Sequence, residues 1–203
     1  MFNNYFKTGY IAFFVMVLFV IFSLCVYTPI FSLNSDISLI AMNPRFYSVD
    51  SEFAWPVPTS YKISSYFGYR TSPTWGASNY HSGIDIAANT GCDIISILSG
   101  TVVFTDFYGS AGYTVMIKSD DITILYSHVS PNFLVYLGET VIKGQVIAKV
   151  GPKNVYGVIN NKFKDSDGNP TNGATTGPHL HLTIKKDGIA VNPLNYFPYS
   201  SSL

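Results

Sequence analysis

The sequence predicts an all-β domain over residues 52–203, on three observations. Short runs rich in β-branched and aromatic residues recur along it: VVF (102–104), YTVMI (113–117), ITILY (122–126) and VIAKV (146–150). Turn-forming groups punctuate these runs, at Ser99-Gly100, Ala111-Gly112, Ser119-Asp120-Asp121, Lys143-Gly144 and Lys186-Asp187-Gly188. No stretch of the region carries an amphipathic helical period that would compete with strands.

Ahead of the domain, the 203-residue chain has a different character. Residues 11–31 contain no charge, and IAFFVMVLFVIF (11–22) is apolar throughout. A helix needs about 20 such residues to cross a bilayer. The run is longer than the apolar core of a cleavable signal, and Tyr27-Thr28-Pro29 offers no small-residue cleavage pattern. Residues 10–31 are therefore expected to be an uncleaved transmembrane anchor, because a buried core helix would show a polar face and this run has none. Residues 1–9 form a short cytoplasmic N-terminus, marked by Lys7. Residues 32–51 read as a linker, and Trp55-Pro56-Val57-Pro58 as an extended entry into the domain. Cys25 lies in the expected anchor and Cys92 in the domain, so no intrachain bridge is expected. Charged residues make up 12 % and balance to zero, which leaves no electrostatic footprint for nucleic acid.

The chemistry is carried by histidine. The chain has 4 histidines, and all fall in three motifs: His81 in HSGID (81–85), His128 in YSH (126–128), and His179 and His181 in TGPHLH (176–181). In HLHLTI (179–184) a two-residue period puts both imidazoles on one face and Leu180, Leu182 and Ile184 on the other. In HSGID, read as one strand, His81 and Asp85 project opposite to Ile84 and Ile86. A set of imidazoles with one carboxylate, leaving a position open for water, is the ligand chemistry of a catalytic zinc. Such an ion lowers the pKa of bound water from 15.7 toward about 7 and polarises a carbonyl.

Taken together and in order, the motifs resemble those of the lysostaphin-type zinc endopeptidases, which cut peptidoglycan stem peptides and cross-bridges. The resemblance covers about residues 55–198. It rests on Phe67-Gly68-Tyr69-Arg70, His81-Ser82-Gly83-Ile84-Asp85, Ser99-Gly100-Thr101-Val102, Tyr126-Ser127-His128, Val141-Ile142-Lys143-Gly144-Gln145 and Thr176-Gly177-Pro178-His179-Leu180-His181. It implies a compact antiparallel β-sheet domain with a substrate groove over the metal. By the same resemblance, His81, Asp85 and His181 would be the zinc ligands. His128 and His179 would be catalytic without ligating, polarising the water and stabilising the oxyanion.

The expected protein is thus a zinc metalloendopeptidase of the cell membrane, single-pass, with its catalytic domain outside and facing the wall. The alternative is a scaffold of the same fold that binds wall or protein partners in a sporulation, division or conjugation complex. One departure from the family pattern stands out: residues 152–175 separate Gly151 from TGPHLH, where relatives take only a few residues. Asp165, Asp167, Gly168 and Asn169 in this segment partly match a calcium loop, but the closing bidentate Glu is missing. A plain loop that walls the groove is expected.

Overall fold

The computed structural model describes residues 52–197, so the expected anchor (10–31) and its flanking segments lie outside the described residues. Among the described residues no helix is long and apolar enough to cross a membrane. The described residues form twelve strands and two short 3-10 turns; the strands are β1 (Ile63–Ser65), β2 (Gly68–Tyr69), β3 (Tyr80–His81), β4 (Ile84–Ala87), β5 (Asp93–Ile95) and β6 (Gly100–Phe107), followed by β7 (Tyr113–Ser119), β8 (Ile122–Ser127), β9 (Thr140–Val141), β10 (Val146–Lys149), β11 (His179–Lys186) and β12 (Ile189–Val191). All pairings between them are antiparallel. Among the described residues, the all-β antiparallel class expected from the sequence is the one observed.

The main sheet has the order β1-β4-β11-β8-β7-β6-β9, with β12 beside the far end of β11. Its centre alternates as the residue types dictate. Ile84 and Ile86 on β4, Leu180, Leu182 and Ile184 on β11, and Ile124 and Tyr126 on β8 are all fully buried. Burying each such side chain contributes roughly 1.5–3 kcal/mol. The short β5–β10 pair adds Ile94, Ile147 and Ala148 to the same apolar cluster. Tyr126 keeps its hydroxyl satisfied there by accepting from the Ile97 amide at 2.8 Å.

Two local readings change. Ser99-Gly100 is not a turn, because Gly100 opens β6 opposite Val141. A Cβ at Gly100 would lie 2.5 Å from the Lys118 carbonyl oxygen, so its glycine serves a close approach of strands. HSGID is not one strand either. β3 ends at His81, Ser82 and Gly83 break the run, and β4 begins at Ile84. β3 pairs with β2 in a separate two-stranded sheet, so His81 reaches the centre from outside the main sheet.

The 152–175 segment is a loop closed on itself by bridges between Asn154 and Thr171 and between Lys164 and Pro170. Phe163 is buried within it and meets Trp75 of the β2–β3 connection, with ring centroids 5.9 Å apart. Asp165 spends its carboxylate on a turn. Oδ1 accepts from the Asp167 and Asn169 amides, and Oδ2 from Asn154, with Lys153 at 3.2 Å. Those contacts occupy the carboxylate a calcium ion would need.

Candidate metal centre

The register of β11 builds the centre. His181 stands between Asp85 on β4 and Ser127 on β8, so the pairing with β4 sets it directly beside the carboxylate. His179, Leu180, His181 and Leu182 alternate as expected, with the leucines fully buried in the core and the histidines half-buried on the opposite face. His81 comes over this face from β3. The donor atoms of His81, Asp85 and His181 all lie within 4.8 Å of one another. His81 Nε2 is 2.9 Å from His181 Nδ1 and 3.1 Å from Asp85 Oδ1, and His181 Nδ1 is 2.8 Å from Asp85 Oδ1. Two ligands at the zinc distances of about 2.0–2.1 Å in a tetrahedron stand roughly 3.3 Å apart. The three side chains therefore fit a small tetrahedral cation with little rearrangement.

The outward-facing nitrogens fix which ring atom points inward. His81 Nδ1 lies 2.8 Å from the Tyr66 carbonyl, which can only accept, so Nδ1 carries the proton and Nε2 is left bare. His181 is oriented the other way, with Nε2 in hydrogen-bond contact with Thr183 Oγ1 at 2.9 Å and Nδ1 turned to the cluster. Arg70 Nη1 donates to Asp85 Oδ2 at 3.0 Å and also bonds Ser65 Oγ, which leaves Oδ1 for the centre. Burial alone would raise the Asp85 pKa. The close approach of the His181 and His81 rings outweighs it and holds the carboxyl well below its ordinary value. Burial keeps His181 below the ordinary histidine value against the opposing pull of Asp85.

The other two histidines stand beside this set as a pair, with ring centroids 4.7 Å apart. His128 Nδ1 donates to the Asn172 carbonyl at 2.7 Å, and His179 Nδ1 to the Gly177 carbonyl at 2.8 Å. Each therefore has a bare Nε2, and that of His179 lies 3.6 Å from Asp85 Oδ1. Burial, and then the neighbouring His179 and His181, hold the pKa of His128 well below the ordinary value. It is neutral at pH 7 and able to accept a proton. All four histidines line a groove of about 640 Å³, together with residues such as Pro73, Tyr80, Tyr108 and Pro178.

Every site residue expected from the sequence is thus brought to one place. Sequence reasoning missed the partners that aim them. Arg70 was visible only as part of FGYR, and the carbonyls of Tyr66, Gly177 and Asn172 carry no residue-type signal at all. Thr183 alone had a sign, being the polar continuation of the His179–His181 face.

Comparison with known proteins shows the family. The model of peptidase family M23 matches residues 79–193. The DD-carboxypeptidase/endopeptidase Mpg of Neisseria meningitidis serogroup B is 33 % identical over 135 residues, covering 66 % of this chain and 26 % of that protein. Stage II sporulation protein Q of Bacillus subtilis is 37 % identical over 124 residues, covering 59 % of this chain and 38 % of the relative. The crystal structure of the SpoIIIAH and SpoIIQ complex superposes with a TM-score of 0.55 at 27 % identity, covering 71 % of this chain and 99 % of that one. The chain spans well under half the length of these two curated relatives.

Proposed function

Since the chain belongs to peptidase family M23, we propose that it is a zinc-dependent endopeptidase that hydrolyses peptide bonds in peptidoglycan. The observation that carries this reading is the convergence of three possible ligand atoms from His81, Asp85 and His181, beside the paired rings of His128 and His179, in one open groove. Zinc bound there would activate a water and polarise the scissile carbonyl. The chain's own residues supply the rest. His128, neutral because it is buried, takes the proton of the attacking water at Nε2 and returns it to the leaving amine. His179, whose Nε2 lies 3.6 Å from Asp85 Oδ1, is the group placed to stabilise the carbonyl oxygen as it gains charge. The groove volume falls in the range of about 300–1,000 Å³ common to ligand sites. The reading extends to placement: residues 10–31 anchor the chain, and the domain works outside the membrane on wall close to it.

The test uses purified chain loaded with zinc and incubated with isolated peptidoglycan, with products read by mass spectrometry as new amino and carboxyl termini. H81A and H181A are expected to lose both zinc and cleavage. H128A and H179A should keep about one zinc per chain and lose about 10²–10⁴-fold in rate. Protease shaving of protoplasts should remove the domain and leave the anchor in the membrane. A second reading, a scaffold for protein partners, is favoured by the likeness to the SpoIIIAH and SpoIIQ complex. Zinc-loaded wild type that cuts no wall peptide would replace the first reading with this one.

A further inference from the structure

The hydrogen bonds around His128 lead away from the metal ligands and into the 152–175 loop. His128 has a φ of 60°, a left-handed conformation unfavourable for a residue with a Cβ, so the surrounding structure must hold it there. Its amide donates to the Ala111 carbonyl at 2.9 Å, and its own carbonyl accepts from Gly151 at 3.0 Å. The ring bond to the Asn172 carbonyl completes the hold.

Asn172 is fully buried, and its carboxamide is divided between two segments. Oδ1 accepts from the Tyr113 amide at 2.8 Å, where β7 begins. Nδ2 donates to the carbonyl of Val129 at 3.0 Å, one residue past His128. The side chain thus grips the backbone on both flanks of the catalytic imidazole while its main chain points a carbonyl at the ring. There is no slack at this junction: a Cβ on Gly112 would lie 2.4 Å from the Asn172 carbonyl oxygen. Asp at 172 could accept from Tyr113 but would set two oxygens against each other at Val129, and Ala could do neither.

We infer that Asn172 is the positioning residue for His128. Its carboxamide ties the end of the loop to both segments beside His128 and so fixes the carbonyl that sets the tautomer and aim of the imidazole. The loop is then a working part of the catalytic apparatus as well as a wall of the groove. The catalytic consequence rests on the hydrolase reading, whereas the positioning of the ring does not.

The experiment takes full-length N172A and N172D beside wild type, H128A and the H128A/N172A double variant. All should keep about one zinc per chain. N172A is expected to lower kcat about 10–100-fold with KM within about twofold, a part of what a general base supplies. In the H128A background the same change should cost less than about twofold, because residues acting through one group are non-additive. Nitrogen-15 spectra of the histidine rings should show His128 in the Nδ1–H tautomer in wild type and a mixture in N172A. N172D keeps one of the two bonds, so it serves if N172A does not fold, with the same directions expected. An equal loss of kcat with and without His128, or an unchanged His128 tautomer in both variants, would overturn the inference. Wild type that cuts nothing would instead sink the hydrolase reading and leave the ring spectra to decide this one.

Discussion

Arg70 works at one remove from the place a cation would occupy. It holds Asp85 Oδ2 while Oδ1 faces His81 and His181, so the carboxylate is offered by one oxygen in a fixed direction. Partners of this kind typically tune metal affinity 10–100-fold. R70A should therefore weaken zinc binding by about that factor in competition with a chelator, with one zinc per chain still reached at saturation. Loss of fold instead of affinity would contradict the assignment. The same residue marks the limit of reading a sequence. The four histidines were legible because histidine is scarce here and each fell in a motif. Arg70 lies 15 residues before its carboxylate, and no local period announces that the two will meet. Asn172 was hidden differently: it sits among turn-forming residues where an asparagine is ordinary, although its side chain is buried and fully engaged.

At the level of the strand, β11 was readable and the HSGID segment was not. Strict alternation in HLHLTI predicts two faces, and the structure shows them. HSGID has a comparable alternation, yet it contains Gly83, whose missing side chain lets the chain cross against β11. A Cβ at Gly83 would lie 2.2 Å from the Leu182 carbonyl oxygen, a backbone atom that cannot swing away. The break at Ser82-Gly83 is what allows His81 to leave the main sheet and return over Asp85. G83A is expected to destabilise the domain by at least about 1–3 kcal/mol, the ordinary range for a disruptive substitution. Calorimetry would measure the lowered Tm. Zinc affinity should fall with it, because the pairing that sets Asp85 opposite His181 begins next to this glycine. A variant with unchanged Tm would show that the two strands can part without cost.

Across the whole domain, the sequence predicted strands but not their order. The last long strand, β11, enters the middle of the sheet between β4 and β8, and His81 meets His181 across 100 positions of chain. Only tertiary pairing of that range creates the site, which is why composition and spacing could propose its members but not its shape. The apolar cluster lies on the face of β11 opposite the histidines, so the fold does not depend on a metal for its core. Chelation should leave the far-UV circular dichroism and a cooperative thermal transition in place, unlike small domains that are unfolded without zinc. Collapse of the strand signal on chelation would refute this. The hydrogen bonds behind the imidazoles carry a consequence for variation. Tyr66 and Gly177 aim His81 and His179 through main-chain carbonyls, which every amino acid possesses. The Tyr66 side chain, 61 % exposed, is free to change while the atom that orients His81 is inherited unaltered. Side-chain substitution at these two positions would thus leave the atoms that aim the imidazoles in place.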